Sequence, residues 1–424
     1  REEVEFETIE IPAQPQHKEK WETLYTLSKP EKKFEEEEIL RLEIDNRIYC
    51  TIDLLPRVSM YLSKERKEEG IKVEEIKPEV ENLRFSEDII DLLDWERIWQ
   101  EIIEFKVQKA YWNLVLERDT LKSILLSDRY TILSLPEILE IKDEEDRKRL
   151  EDIALLIIKK YVDLFYRKNA KRFETKNLRY DKVRQLPLSL LSEGKQGYIV
   201  QIDKGKKKLV QEIRDLANDL EKLLKEENTN LPRVYFDGSL YVPILLQSKK
   251  IDKISPAGLV ESEQDFVVEL REYLKRHKDK FPAEVYLLRN YPFSGVGFQL
   301  QWAGFYPDFI MWIKEGSQQT IAFIDPKGLE HAKGLNSEKI KFAGFLDEND
   351  DPETVTIKKI EKSLCDKNIR LESFILSRTS YDDLRKGETN FPSIDEFMAH
   401  HVLFLSDANW PEKLISMMIN KNPA

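Results

Sequence analysis

Cysteine, histidine and long apolar runs are scarce in this chain. Cys50 and Cys365 are the only cysteines in 424 residues, too few and too isolated for a disulfide framework or a zinc cluster. The five histidines have no metal-ligand spacing. No stretch has the length and apolarity of a transmembrane helix or the pattern of a signal peptide. These absences predict a cytoplasmic protein that does not associate with a membrane.

Charged residues, in contrast, are abundant. They make up 35% of the sequence, beside 41% hydrophobic residues, and the formal net charge is −12. This acidic balance argues against a simple basic nucleic-acid-binding protein. The hydrophobic content is sufficient for two or three cores in a chain of this length.

One segment is nevertheless basic. Residues 167–184 contain eight lysines and arginines against two acids, and Phe173 and Tyr180 are interleaved with them. Because basic side chains contact phosphates and aromatic rings stack on bases, this mixture predicts a DNA-binding segment. The alternative is a solvated helix face or an interdomain surface. The basic residues are Arg167, Lys168, Lys171, Arg172, Lys176, Arg179, Lys182 and Arg184. A second basic run, Lys204-Gly-Lys-Lys-Lys208, is expected to be a charged turn.

Two apolar runs predict a β-hairpin in the C-terminal part of the chain. Residues 305–313 and 320–324 are rich in aromatic and β-branched residues and are separated by Glu315-Gly-Ser-Gln318. Gly316-Ser317 as the two central residues favours a turn of type I′ or II′. Apolar residues alternate onto both faces of the hairpin, so we expect both faces to be buried.

The predicted turn determines which residues face each other. Residue 315 is opposite residue 318, and counting outward places Asp308 directly opposite Asp325. Opposed residues of antiparallel strands have Cβ atoms roughly 4.5–5.5 Å apart, so the two carboxylates can share one divalent cation. Lys327, two residues beyond Asp325, projects from the same face.

These residue types suit a particular chemistry. Hard oxygen ligands favour Mg²⁺, with Mn²⁺ as the alternative ion. The cation polarises a phosphoryl oxygen, and a neighbouring lysine orients or deprotonates the attacking water or stabilises developing charge. Charges on a strand that is covered on both faces are costly unless they are paired or bound to a metal. We therefore predict a metal site that hydrolyses phosphodiesters, the alternative being a structural ion pair.

A helix upstream of the hairpin can supply a third carboxylate. Residues 262–278 carry an apolar stripe at helical period, and Ser262 is the expected N-cap. Glu263 lies on that stripe, whereas Glu269 lies about 100° from its centre. Glu263 is therefore preferred over Glu269 as a metal ligand. Its alternative role is to cap the first turn of the helix.

The order of these elements resembles the core of the PD-(D/E)xK nucleases. It runs from the helix through strand 285–289 to strands that end in Tyr306-Pro-Asp308 and Asp325-Pro-Lys327, and then to another helix. Residues 256–424 are similar to the C-terminal endonuclease region of type III restriction (Res) subunits and related phage-defence DEAD/DEAH helicase–nucleases. The similar segments are Tyr286-Leu-Leu-Arg-Asn290, Gly295-Val-Gly-Phe298, Phe305-Tyr-Pro-Asp-Phe-Ile310 and Phe323-Ile-Asp-Pro-Lys-Gly-Leu329.

The resemblance implies a role for each residue of the motif. Asp308 and Asp325 would be metal ligands, Lys327 the motif lysine and Glu263 the helix carboxylate. Pro326 departs from the family's pattern, in which this position usually holds an apolar residue that donates a backbone N–H. Because proline cannot donate, we expect the strand ladder to break there. Three basic residues that follow the motif are further candidates for phosphate contact: His331, Lys339 and Lys341.

The resemblance also implies partners. The chain has no Gly-x-x-x-x-Gly-Lys-Ser/Thr loop, so ATP is expected to act only at a helicase motor of the same parent protein that this chain lacks. The other expected partners are DNA and a methyltransferase or other defence subunit. The predicted function is a Mg²⁺-dependent DNA endonuclease from an ATP-dependent helicase–nuclease of prokaryotic restriction or anti-phage defence. The alternative is a catalytically silent DNA-binding and coupling module that links a helicase motor to a partner subunit.

Four segments are predicted along the chain. Residues 1–80 are an acidic, partly β segment, 81–186 a helical spacer domain, 187–255 a connector with an amphipathic helix and short strands, and 256–424 the nuclease domain. The fold class is α/β, or α+β over the whole chain. It combines a mixed sheet flanked by helices with a mainly helical domain that precedes it.

Overall fold

The computed structural model describes most of the chain, and it contains both helices and strands. The described residues are 5–54, 81–183, 197–218, 233–280, 283–290, 298–299, 304–326, 329, 334–346, 354–386 and 391–419. The fold is therefore of mixed α and β type, as predicted. No helix in these ranges has the length and apolarity that crossing a lipid bilayer requires.

The strands are mostly short. They are β1 Phe6–Pro12, β2 Gln14–Pro15, β3 Tyr25–Ser28, β4 Leu40–Arg41, β5 Cys50–Asp53, β6 Glu81–Leu83, β7 Leu114–Val115, β8 Tyr130–Ser134, β9 Arg179–Lys182, β10 Gly197–Asp203, β11 Arg233–Val234, β12 Tyr241–Val242, β13 Ile244–Leu245, β14 Lys253–Ser255, β15 Glu284–Arg289, β16 Phe298–Gln299, β17 Gly304–Phe305, β18 Phe309–Glu315, β19 Gln318–Asp325, β20 Ile369–Ser377 and β21 Val402–Phe404.

The α-helices range from four residues to 33. They are α1 Phe34–Glu37, α2 Glu87–Asp91, α3 Trp95–Gln108, α4 Arg118–Leu126, α5 Glu144–Lys176, α6 Lys207–Asn218, α7 Glu261–Arg276, α8 Glu338–Lys341, α9 Ile357–Leu364, α10 Tyr381–Arg385, α11 Ile394–Ala399 and α12 Trp410–Ile419.

The chain divides into two compact units, and their boundaries differ from those of the four predicted segments. The larger unit comprises Arg1–Pro30 and Thr175–Ala424, and the smaller unit comprises Glu31–Glu174. The first 30 residues belong to the larger unit because β1 pairs with β10 and β3 pairs with β9. Pairing between strands so far apart in sequence leaves no local signal from which a boundary can be predicted.

The smaller unit has its own hydrophobic core. Apolar residues of α3 and α5 recur at helical spacing and are fully buried, among them Ile98, Ile102, Ile157 and Tyr161. A three-stranded sheet in the order β5-β8-β6 packs in the same core. The strands β4 and β5, which the sequence assigned to the N-terminal segment, therefore fold together with the predicted helical spacer.

The larger unit contains a five-stranded sheet in the order β15-β18-β19-β20-β21. Its first three strands are antiparallel, β20 runs parallel to β19, and β21 runs parallel to β20. The predicted hairpin is the β18–β19 pair, and its register is confirmed because Glu315 faces Gln318 and Phe309 faces Ile324. Gly316 has φ +60°, whereas Ser317 has a negative φ, which is the pattern of a type II′ turn.

Both faces of this sheet are buried, as predicted. Ile310, Trp312, Ile321 and Phe323 of the hairpin pack in one hydrophobic cluster. The alternate residues of the same strands pack in a second cluster with α7 and α12. The predicted strand 305–313 is interrupted, since β17 ends at Phe305 and β18 begins at Phe309. Pro307 lies in this gap, and a proline cannot donate to a strand ladder.

Candidate active site

Asp308 and Asp325 lie at the same end of the β18–β19 hairpin. Asp325 is the last residue of β19 and is only 1% exposed. Asp308 directly precedes β18, so the two aspartates are the next pair outward from the last ladder pair, Phe309 and Ile324. The strand ends at Asp325 and Pro326 follows, which confirms the predicted break in the ladder.

Asn290 holds the backbone on which Asp308 lies. Its backbone N–H donates to the Asp308 carbonyl at 2.7 Å, and its side-chain Nδ2 donates to the Pro307 carbonyl at 2.7 Å. The residue is 2% exposed. A buried residue that donates from both its backbone and its side chain to two neighbouring carbonyls limits the positions that Asp308 can take. The sequence assigned Asn290 no role. The available signal was a polar residue at the end of a predicted buried strand.

Lys339 pairs with Asp325 across the site. Its Nζ lies 3.1 Å from Asp325 Oδ2 and 5.3 Å from the centroid of the Phe305 ring. The lysine belongs to the short helix α8, and its side chain is 37% exposed, whereas that of Asp325 is almost completely buried. Lys341, the second lysine predicted in this region, is the last residue of the same helix.

Glu263 lies in the first turn of α7 and caps that helix. Its Oε2 accepts a hydrogen bond from the Val260 backbone N–H at 3.0 Å and lies 3.4 Å from a guanidinium nitrogen of Arg289. The predicted N-cap at Ser262 is wrong, because the helix begins at Glu261 and Val260 is the N-cap. Ser262 instead donates its hydroxyl to the Pro326 carbonyl at 3.0 Å, which ties the start of α7 to the end of β19.

In the described part of the chain, no third carboxylate joins the two aspartates in a metal-binding group. Among the residues that the structure describes, no group of three or more His, Cys, Asp or Glu side chains is placed to hold a metal ion. Glu263, the predicted third ligand, belongs to no such group and makes the capping bond that was its alternative role. Glu269, the other candidate, accepts a hydrogen bond from the Trp410 indole.

The carboxylate oxygens of the two aspartates are of the ligand type that suits a Mg²⁺ ion. This cation usually retains several waters and is bound through only one or two carboxylates. One oxygen of each aspartate, Asp308 Oδ2 and Asp325 Oδ1, is buried. Buried carboxylates need a compensating positive charge, and Lys339 contributes one on the side of Asp325. Three predicted site residues, Lys327, His331 and Arg184, lie outside the described residues.

The basic segment 167–184 is divided between the two units. In the smaller unit, Arg167 pairs with Asp163 at 3.1 Å, and Lys171 pairs with Glu174 at 3.0 Å. Lys168 donates to the carbonyl of Arg47 at 2.6 Å. On the same helix, Arg172 is half-buried and Lys176, counted with the larger unit, is exposed. Within the larger unit, Arg179 lies 3.1 Å from Asp181, and Lys182 lies 3.9 Å from Glu22.

The two aromatic residues of this segment are half-buried and pack against the hydrophobic cores. The Phe173 ring packs against Phe34, with 5.6 Å between the ring centroids, beside the core of the smaller unit. The hydroxyl oxygen of Tyr180 is buried, and burial raises the pKa of this tyrosine. These contacts favour the alternative of a structural role, and stacking on bases stays a prediction. The spacing of Phe173 and Tyr180 in the sequence is as typical of residues that anchor a helix or strand to a core as of residues that stack on bases.

A second buried charged cluster surrounds Glu372 on β20, which the sequence did not single out. Its carboxylate lies 2.8 Å from Lys358 Nζ, 3.1 Å from Arg370 Nε and 3.5 Å from His401 Nδ1. Burial holds the pKa of His401 at about 4, so this ring is neutral near pH 7. The cluster ties α9 and β21 to the middle of the sheet.

No protein-family model, curated protein or solved structure matches this chain. The geometry and the chemistry of the side chains therefore carry the functional argument.

Proposed function

We propose that this chain is a metal-dependent DNA endonuclease domain with a core of the PD-(D/E)xK type. The observation that carries this proposal is the position of Asp308 and Asp325. They lie one position beyond the last pair of the hairpin register, Phe309 and Ile324, at the end of two inner strands of a sheet that is buried on both faces. Two carboxylates at such a place are costly unless they are paired or bound to a metal, and two neighbouring carboxylates are the ligand type that a divalent cation prefers.

The order of elements supports the proposal. Helix α7 is followed by β15, by the hairpin β18–β19, by the helices α8 and α9, and then by β20. This is the helix, strand, hairpin and helix order on which the resemblance to these nucleases rests. The strand that carries Asp325 is the central one of the five, so its end is supported by a neighbour on each side.

In the proposed reaction the chain's own residues have distinct tasks. Mg²⁺, when bound, would polarise a phosphoryl oxygen and lower the pKa of a bound water. Asp308 and Asp325 would bind the cation, and Asn290 holds the backbone of Asp308 in position. Lys339 can move from Asp325 to a substrate phosphate, because its side chain is partly exposed. The resemblance to the nuclease family implies that Lys327 acts on the attacking water or stabilises the charge that develops on the phosphate.

A catalytically silent module is the second candidate, and two observations favour it. Lys339 already neutralises Asp325, and Glu263 already caps α7, so a structural ion pair accounts for the same contacts. Such a module would bind DNA and couple a helicase motor to a partner subunit. The two candidates differ in whether the aspartates bind a divalent cation.

The resemblance extends the proposal to the parent protein. We place the domain in an ATP-dependent helicase–nuclease of prokaryotic restriction or anti-phage defence, in the cytoplasm. ATP would act at the motor and not in this chain. A methyltransferase or another defence subunit would be a further partner. Cleavage that appears only when the motor is supplied together with ATP would support this extension.

The decisive experiment combines metal titration with cleavage. The full chain is titrated with Mg²⁺ and Mn²⁺ by calorimetry and incubated with linear, circular and single-stranded DNA in the presence of either ion or of EDTA. We expect metal-dependent cleavage that Asp308→Asn abolishes. Asp279→Asn is the matched control, because it removes the same charge from an exposed position of the larger unit. Absence of metal binding by the wild type would contradict the nuclease and leave the silent module.

A further inference from the structure

Five lysines from two distant parts of the sequence converge on one open depression in the larger unit. The depression has a volume of about 630 Å³. We call it the lysine depression. Its lining residues are Gly205, Lys206, Lys207, Lys208, Leu209, Lys249 and Lys250.

Lys206 connects the two sides of the depression. Its Nζ donates to the Lys250 carbonyl at 2.9 Å and pairs with Asp252 at 3.0 Å. Asp252 also accepts a hydrogen bond from the Asp203 backbone N–H at 2.8 Å. One segment follows β10 and the other precedes β14, and these two strands pair in one sheet. The lysines are therefore brought together by hydrogen-bonded structure.

The predicted charged turn covers only the first half of the basic run. The backbone turns at Lys204 and Gly205, and α6 begins at Lys207. Lys207 and Lys208 thus occupy the first turn of a 12-residue helix, which contains no acidic residue in that turn. The helix dipole disfavours cations at this end, so each lysine here lowers helix stability. Placement that opposes local stability is expected where a residue serves binding.

Four of the lysines have no acidic partner in the described part of the chain. Lys207, Lys208, Lys249 and Lys250 are all exposed, and the nearby Asp252 is already paired with Lys206. Like charges that share a depression repel one another and create a region of positive potential. In a chain with net charge −12, this region selects an anionic ligand.

We propose that the lysine depression binds phosphates of a nucleic-acid backbone. This inference rests on the proposed function, in which DNA is the substrate. An open depression lets a long polyanion lie across it, and lysine ammonium groups contact phosphates without reading bases. Leu209 is the apolar member of its lining. One leucine without an aromatic neighbour in the lining is a poor membrane anchor, since insertion at a lipid interface requires several apolar side chains.

The test removes the four exposed lysines together. The variant carries Lys207→Ala, Lys208→Ala, Lys249→Ala and Lys250→Ala, and it keeps Lys206 because that residue supports the fold. The matched control carries Lys275→Ala, Lys278→Ala, Lys362→Ala and Lys367→Ala, which removes the same charge from exposed positions of the same unit. Binding of a fluorescent 30-base-pair duplex is measured in EDTA over a series of salt concentrations. Circular dichroism checks that both variants fold.

We expect the depression variant to lose affinity and salt dependence together. The slope of log affinity against log salt should fall by about 0.9 for each lost phosphate contact, and each contact should weaken binding by up to roughly eightfold at 0.1 M salt. The control should retain the wild-type slope. Equal losses in the two variants, or no loss in the depression variant, would overturn the inference.

Two further arms separate this inference from the proposed function. Vesicles that contain phosphatidylserine replace the duplex in one arm, and stronger lysine-dependent binding to them than to DNA would overturn the inference in favour of a membrane. In the other arm, Asp308→Asn is measured for duplex binding. If Asp308→Asn binds the duplex like the wild type and the wild type does not cleave DNA with Mg²⁺, the nuclease proposal fails. The inference about the lysine depression is then unaffected. If the wild type does not bind DNA at all, both fail.

Discussion

The ammonium of Lys339 lies 3.1 Å from Asp325 Oδ2 and joins the short helix α8 to the end of the central strand β19. The two partners differ in exposure, since Asp325 is 1% exposed and the lysine side chain 37%. A divalent cation bound to Asp325 would compete with this ammonium for the same carboxylate. In the proposed function, the lysine would neutralise Asp325 without metal and would contact phosphate when metal is bound.

The first prediction concerns this competition. Lys339→Gln should bind Mg²⁺ more tightly than the wild type, because no ammonium then has to be displaced from Asp325. Without metal the variant should be less stable by about 1–2 kcal/mol, since a buried carboxylate loses its partner, a loss moderated by the exposure of the lysine. Calorimetric titration and denaturant unfolding measure the two effects. Lys341→Gln, on the same helix, is the control. Unchanged metal affinity in Lys339→Gln would remove Lys339 from the site.

The second prediction concerns Asp325 itself. Asp325→Asn removes a negative charge at nearly constant volume and should reduce metal affinity and cleavage together. Its stability without metal should be equal to or above that of the wild type, because Asp308 no longer faces a like charge. The stabilisation that Mg²⁺ gives the wild type should disappear. Thermal unfolding with and without Mg²⁺ measures this difference. A variant that Mg²⁺ stabilises as strongly as the wild type would locate the metal elsewhere.

The third prediction separates chemistry from metal binding. Lys327→Ala should still bind metal and DNA, while turnover falls by roughly 10²–10⁴-fold, the usual range for a positioned acid–base or electrostatic group. Single-turnover cleavage measures the rate, on the intact motor-bearing protein if this chain alone is inert. Wild-type cleavage by this variant would show that the motif lysine takes no part in the reaction.

The fourth prediction tests Asn290 as a positioning residue. Asn290→Ala leaves the buried Pro307 carbonyl without its donor and should lower the free energy of unfolding by about 1–3 kcal/mol. Metal affinity should also fall, because Asp308 is no longer held opposite Asp325. Asn336→Ala, at an exposed position, is the control. A loss of stability with unchanged metal affinity would indicate a structural role only.

The fifth prediction is a pH dependence of stability. His401 has a folded-state pKa of about 4, below the ordinary value of 6.5, because it is buried. The unfolded chain therefore binds a proton that the folded chain does not, between these two values. The stability that the neutral ring contributes is complete above pH 6.5 and is lost as the pH falls to about 4, by up to about 3 kcal/mol. Because the pKa of His401 is lower in the folded state than in the unfolded state, lowering the pH favours unfolding.

The matched variant for this prediction is His401→Asn. The residue has φ +60°, a left-handed conformation that asparagine tolerates better than most residues. Urea unfolding of both proteins at pH 5 and pH 7 should show a smaller pH dependence in the variant. The same pH dependence in both would assign it to other groups.

The sequence by itself determined the hairpin and its register. A glycine at the first central turn position selects a two-residue turn, and side chains alternate along a strand with period two. One local feature therefore specified every facing pair out to Phe309 and Ile324, which are the neighbours of Asp308 and Asp325. The burial of both faces could be predicted for the same reason, because the apolar residues occupy both sides of the alternation. The mixed α and β composition also followed from local periodicity.

Only the tertiary structure decided which side chains surround the two aspartates. Lys339 reaches Asp325 from a helix 14 residues away, and Asn290 reaches Pro307 from another strand. Glu263 has a local capping partner that a helical stripe cannot distinguish from a site ligand. The lysine depression joins residues 44 apart in sequence, and the larger unit includes the first 30 residues through strand pairing. Such contacts depend on how distant elements pack, and local sequence patterns do not determine that packing.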